Sequence, residues 1–211
     1  SRPKRVPLSH RNLGVSAHNI VDTYKLSTED VSLCVMPLFH VHGLVASALS
    51  TFLSGGTVVV PPRFNAMGFW SMAQSHKATW FSAVPTMYQA LLRRDRAGSS
   101  SEGRSQVCDS LRFIRSCSAP LASTTMLEME NRFDIPVLEA YGMTEAAHQM
   151  ASNPLPPNER RPGSVGTGTG VKIGIMDDLG TLLHSGDRGE IVVQGENVIK
   201  GYEDNPDANA T

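Results

Sequence analysis

Leu111-Arg-Phe-Ile-Arg-Ser-Cys117, Ser118-Ala-Pro120, Ser123-Thr-Thr-Met-Leu-Glu-Met-Glu-Asn-Arg-Phe133 and Val137-Leu-Glu-Ala140 read in turn as strand, loop, helix and strand. A near-continuous apolar strand needs cover on both faces. A parallel sheet flanked by helices supplies that cover, whereas a sheet with one wet face does not. The same alternation extends back towards the start of the chain. Val31–Met36 is a short apolar run stopped by Pro37, Thr57–Val60 is β-branched and halted by Pro61 and Pro62, and Thr79–Val84 is a third strand. Helical segments lie between them. Ser9 suits an N-cap, and Leu13, Ala17, Ile20, Val21 and Tyr24 recur behind it at helical spacing. Leu44–Leu53 suits a buried helix that Gly55-Gly56 would end, and Ala66–His76 and Thr86–Arg94 suit two more. Five strands separated by helices predict an α/β fold, a mostly parallel sheet with flanking helices. Ala97–Ser105, rich in Ser, Gly and Arg, is the expected surface loop.

After Met150 the texture changes. Asn153–Pro162 carries four prolines, and Gly163-Ser-Val-Gly-Thr-Gly-Thr-Gly170 is dense in glycine. That run matches neither a P-loop nor a dinucleotide fingerprint after a strand, so its glycines are read as turn formers. Val171–Met176, a turn at Asp177–Gly180 and Glu190–Gln194 predict a small β-rich region. The expected division is therefore an α/β core over residues 1–150 and a β-rich continuation over 151–211.

Composition narrows the function. Twenty acidic residues against 19 basic ones, a net charge of −1, argue against attachment to nucleic acid or an anionic membrane by bulk charge. Hydrophobic residues at 40% and charged residues at only 18% fit a packed core and not a disordered chain. The longest greasy run, Leu44–Leu53, is interrupted by Ser47, Ser50 and Thr51 and falls far short of the ~20 residues of a membrane span. Cys34, Cys108 and Cys117 lie far apart and are expected to be reduced thiols of an intracellular protein, cytoplasmic or peroxisomal. The start at Ser1 and the polar end at Asn205–Thr211 are expected to be cuts within a longer chain.

In a parallel α/β sheet, ligands bind beyond the carboxyl ends of the strands. Following the strands here are Pro37-Leu-Phe-His40-Val-His42-Gly43, Pro61-Pro62-Arg63, Pro85-Thr86, Ser118-Ala119-Pro120 and Tyr141-Gly142-Met143-Thr144-Glu145. Functional groups therefore gather at one edge. Taken singly, each has a plainer reading. His40 suits a hydrogen-bonded structural histidine, Glu145 a helix-end acid favoured by the dipole, and Lys4 a solvated charge. His40 and His42, two apart, have no Cys, Asp or Glu at ligand spacing, which argues against a histidine metal site.

The order of the pieces carries more than any one of them. Ser1-Arg-Pro-Lys4-Arg-Val, followed by Ser9-His-Arg-Asn-Leu13, resembles the tail of the phosphate loop of the adenylate-forming enzymes, which include the acyl-CoA synthetases, luciferases and adenylation domains of peptide synthetases. Pro37–Gly43, Ser116–Leu121, Glu139–Glu145, Arg161–Gly166 and Gly189 to Tyr202 resemble that family's later motifs in the same order. Within it, Arg115–Ala119, Leu138–Met150 and Ser152–Pro156 look most like the oxalate–CoA ligases of plants and fungi.

The resemblance implies the large N-terminal domain of an enzyme that joins a carboxylate to ATP, expels pyrophosphate and passes the acyl group to coenzyme A. It implies that Lys4 holds the β/γ-phosphates, Thr144 binds phosphate oxygens and Glu145 binds Mg²⁺, a hard ion suited to carboxylate oxygen. Ser118, Ala119 and Pro120, with Glu139, Ala140, Tyr141, Gly142 and Met143, would form the adenine slot, Gly142 letting the backbone approach the nucleotide. His40 would close on the carboxylate side of the acyl group. His42, Ser118 and His148 would hold the far carboxylate of a small diacid, oxalate being favoured. For that role His148 is expected one helical turn after Glu145. A ligase for fatty acids or 4-coumarate is the alternative within the class, and a non-catalytic pseudo-ligase the alternative outside it. Two departures stand out. Arg5 occupies a position where the family usually has Gly, and either strains the loop or adds a phosphate contact. The ribose-binding Asp and the C-terminal lid domain are absent from these 211 residues.

Overall fold

The computed structural model of the protein describes residues 3–97 and 109–210. Ser1, Arg2, Cys108 and the expected loop beyond residue 97 lie outside the described residues. The elements run α1 (His10–Tyr24), β1 (Val31–Leu33), a π-helix (His42–Leu49) continued by α2 (Ser50–Leu53), β2 (Thr57–Val59), α3 (Phe69–Ser75), β3 (Trp80–Ala83) and α4 (Pro85–Ala97). Then come β4 (Phe113–Ser116), α5 (Ser123–Phe133), β5 (Val137–Met143), a 3₁₀ turn (Thr144–Ala146), β6 (His148–Ser152), β7 (Thr167–Gly168), β8 (Lys172–Met176), β9 (Glu190–Gln194) and α6 (Pro206–Asn209).

One seven-stranded sheet has the order β2-β1-β3-β4-β5-β6-β7; β1 to β5 pair parallel, and β6 and β7 join antiparallel. β8 and β9 form a separate antiparallel pair. All five expected strands are present, and the reason for their continuous apolarity is visible in the packing. Phe81, Ile114 and Val137 point to one face, against α3, α4 and α5, where Tyr88, Leu91, Met126, Met129 and Phe133 meet them. Their neighbours Trp80, Phe113 and Leu138 point to the other, against Ala17, Ile20 and Tyr24 of α1 and Val45 of the π-helix. Both faces are core, so both phases of the strand period are apolar. Each fully buried large side chain contributes roughly 1.5–3 kcal/mol.

α1 begins as read. Ser9 Oγ accepts from the Asn12 N–H at 3.1 Å, while Asn12 Oδ1 accepts from the Ser9 N–H at 3.0 Å, a reciprocal cap. Asn12 Nδ2 also donates to the carbonyls of Glu196 and Val198, tying the end of the chain to α1. The expected helix at Leu44–Leu53 starts two residues earlier and winds wide. Gly43 permits this, since a Cβ there would meet the Pro37 carbonyl oxygen at 2.4 Å.

The reading corrected by the structure is the segment after Glu145. It is not a helix: the 3₁₀ turn ends at Ala146, and Ala147 (φ 49°) and His148 (φ 113°) reverse the chain into β6. Neither residue is a turn former, so no Gly, Asn or Pro marked the reversal. The glycine run behaves as expected, with Gly163, Gly166 and Gly170 at positive φ and Gly168 in β7. No helix among the described residues is long and apolar enough to cross a membrane.

Candidate active site

The carboxyl ends of β4 and β5 open onto a cavity of about 280 Å³ lined by Ser118, Ala119, Pro120, Glu139, Ala140, Tyr141 and Gly142, with Gly163 and Val165 closing one side. These are seven of the eight residues that the sequence grouped as an adenine slot; Met143 lies beyond the lining at the end of β5. Glu139 is buried, and its Oε2 accepts the Gly163 N–H at 2.8 Å. Burial raises its carboxyl above the ordinary range, partly offset by that bond. Gly142 has a different structural reason from the expected one. A Cβ there would lie 1.9 Å from the His148 carbonyl oxygen, so its bareness admits β6 at the irregularity in the β5–β6 pairing.

Beneath the cavity is a buried polar cluster. Arg115 of β4 is wholly buried, and no carboxylate among the described residues pairs with it. Its Nε donates to Tyr24 Oη at 2.9 Å, Nη1 to Ser82 Oγ at 2.9 Å, and Nη2 to Gln149 Oε1 at 3.0 Å and His148 Nε2 at 3.2 Å. His42, also buried, stacks on His148 with ring centres 5.0 Å apart. It bridges Ser82 Oγ at 2.6 Å and Ser118 Oγ at 2.9 Å. Burial first, and the Arg115 charge second, hold both imidazoles well below their ordinary pKa and therefore neutral. His42, Ser118 and His148 are thus brought together as expected, although His148 arrives on a strand. Ser118, at φ 70°, links this cluster to the cavity.

Lys4, Thr144 and Glu145 gather at the outer edge. Lys4 Nζ stands 4.6 Å from the centre of the Tyr202 ring, and Tyr202 Oη donates to Glu145 Oε1 at 2.8 Å. Donating that bond to the carboxylate raises the tyrosine's pKa. Among the described residues the other Glu145 oxygen and the Thr144 hydroxyl have no partner. Hard oxygen donors of this kind suit Mg²⁺, which takes few protein ligands. No group of three or more His, Cys, Asp or Glu residues among the described residues could hold a metal ion. Arg5 does not strain its loop; its backbone is not at positive φ, and its side chain pairs with Glu203 and Asp204 at 3.8 and 3.6 Å. His40 is exposed, and its Nδ1 accepts the backbone N–H of His42 at 3.0 Å.

Sequence reasoning missed Ser82, Arg115, Gln149 and Tyr202. Arg115 left a signal: a charge in the middle of a strand with both faces buried is rarely found there without a purpose. Ser82 left none, since nothing in one sequence separates it from filler, and Gln149 was carried only as one position of the Leu138–Met150 resemblance.

The family of AMP-binding enzymes matches residues 1–203. The oxalate–CoA ligase of Saccharomyces cerevisiae is 48% identical over 209 residues, covering 99% of this chain and 37% of that protein. The sulfoacetate–CoA ligase of Cupriavidus necator is 40% identical over 205 residues, covering 97% of this chain and 39% of that protein. The ATP-bound crystal structure of MatB from Rhodopseudomonas palustris superposes with a TM-score of 0.89 at 33% identity, covering all of this chain and 40% of that one. The chain therefore spans well under half the length of the relatives it matches. A match over residues 1–203, laid on strand ends that hold the expected motifs around one cavity, makes this chain a member of the AMP-binding enzyme family.

Proposed function

We propose that the protein carrying this chain is an ATP-dependent carboxylate–CoA ligase that works through an acyl-adenylate, with oxalate as the favoured acid. The supporting observation is Arg115, a buried guanidinium without a carboxylate partner, set among Ser82, His42 and His148 beside the Ser118 end of the cavity. A buried cation without a counter-ion is costly, and an anionic ligand nearby offsets the cost. A fatty-acid site needs a long apolar wall; a cluster of buried donors suits a short diacid. The relatives named for oxalate and sulfoacetate, each a two-carbon dianion, support the same size and charge.

In this reading the 1–150 core and its 151–211 continuation together form the nucleotide and acyl end of a larger domain. The adenine lies in the 280 Å³ cavity, with Tyr141 against the base and Ser118, Ala119 and Pro120 opposite. Lys4 and Thr144 receive phosphate oxygens, and Glu145 exchanges its Tyr202 bond for Mg²⁺, which when bound would neutralise phosphate charge. His40 faces the acyl carboxylate, and Ser118, His42 and His148 hold the distal one. The work is positioning and electrostatic stabilisation, with no protein nucleophile. Coenzyme A takes the acyl group afterwards.

His148→Ala in the full-length protein tests the acyl assignment. A hydrogen bond to a charged group is worth ~1.5–3 kcal/mol, so oxalate-dependent pyrophosphate release should fall roughly ten- to a hundredfold while ATP binding is spared. Equal turnover with oxalate would remove His148 from the site.

A further inference from the structure

Ser82, wholly buried in β3, has no role in the reading above, yet it joins the two halves of the polar cluster. Arg115 Nη1 donates to its Oγ at 2.9 Å, and the same oxygen stands 2.6 Å from His42 Nε2. His42 Nδ1 stands 2.9 Å from Ser118 Oγ, which lines the cavity. On the other arm of the guanidinium, Nη2 reaches His148 Nε2 at 3.2 Å.

A guanidinium can only donate. Ser82 Oγ therefore accepts from Arg115, which leaves its own proton for His42 Nε2. That nitrogen must then be bare, so neutral His42 carries its proton on Nδ1 and donates it to Ser118 Oγ. Ser118, having accepted, turns its hydroxyl proton to the cavity. His148 accepts at Nε2 and carries its proton on Nδ1. The opposite arrangement, with His42 protonated on Nε2, gives Ser82 two donors and leaves a buried hydroxyl proton without an acceptor, which is the costlier state. It would also reverse Ser118, whose lone pairs would then face the cavity.

We propose that Arg115, acting through Ser82, is a positioning residue that sets the proton direction along Ser82, His42 and Ser118, so that Ser118 meets the acyl ligand as a donor. This rests on the reading of the cluster as the acyl end of a short-diacid ligase. A site wired this way favours an ionised carboxylate and disfavours an amide, which brings N–H protons of its own. The neutrality of both rings is what the arrangement requires.

The test uses the full-length protein, with ¹⁵N-labelled histidine for the tautomers and pyrophosphate release for oxalate against its monoamide, oxamate. The expected result is His42 and His148 both protonated on Nδ1, and oxalate preferred over oxamate by at least about tenfold. Ser82→Ala should release His42 from that tautomer, raise the oxalate KM about tenfold with the ATP KM unchanged, and narrow the oxalate preference. Ser82→Thr, which keeps the hydroxyl, should retain the parental tautomer. His42 protonated on Nε2 in the parent protein overturns the proposal, as does Ser82→Ala with tautomer and preference unchanged. Failure of the ligase reading has its own signature, no acid-dependent pyrophosphate release by the parent; the tautomers of the parent then decide the proton direction alone.

Discussion

His42 and His148 carry a consequence beyond the acyl site, because two imidazoles held neutral in the folded state make stability depend on pH. Their folded pKa values are depressed below the ordinary 6.5, by burial first and by Arg115 second. The stability they permit is therefore fully present above pH 6.5 and declines as pH falls below it, where the unfolded chain binds protons that the folded one refuses. Each ring contributes a slope of up to about 1.4 kcal/mol per pH unit. The denaturation midpoint of the full-length protein should drop between pH 7 and pH 5, and His148→Gln, which cannot titrate, should flatten that drop. An unchanged midpoint over this range would mean that the rings ionise freely. Arg5 shows the same dependence on neighbours. The sequence left it as strain or phosphate contact; its backbone is not at positive φ, and its exposed side chain stands beside two carboxylates, Glu203 and Asp204.

At the scale of elements, β5 and β6 hold the site together, and the tightest point between them is Gly142. A Cβ 1.9 Å from a backbone carbonyl cannot be absorbed by moving a flexible side chain. Gly142→Ala should destabilise the protein by ~1–3 kcal/mol, the usual range for overpacking, and displace His148 with it. Gly14, inside α1 with nothing within 4 Å of its would-be Cβ, is the contrasting case. Gly14→Ala should stabilise by about 0.5–1 kcal/mol. Thermal melts of the two variants check the pair, and equal melting of Gly142→Ala and parent would contradict the packing described. The same elements show what a single sequence could and could not reveal. The central parallel strands could be read because both of their faces are core, which leaves a continuous apolar signal in Trp80-Phe81 and Phe113-Ile114. β6 could not, because its reversal rests on positive φ at Ala147 and His148, residue types that announce no turn. The lining of the cavity was readable from a motif, whereas Ser82 and Gln149 acquire meaning only when folding brings Arg115 to them.

Over the whole molecule, three groups carry the account: a cavity at the carboxyl ends of β4 and β5, a buried donor cluster joined to it through Ser118, and Lys4 and Glu145, which meet at Tyr202. The chain spans 37% of its yeast relative, so the complete protein is the material for the decisive measurement. That measurement is pyrophosphate release with ATP and Mg²⁺ for oxalate, sulfoacetate, octanoate and 4-coumarate in parallel. The expected result is a kcat/KM highest for oxalate, lower for sulfoacetate and lower again, by at least about a hundredfold, for the two long acids, which leave the buried donors unpaired. Preference for octanoate or 4-coumarate, or no release with any acid, would contradict it.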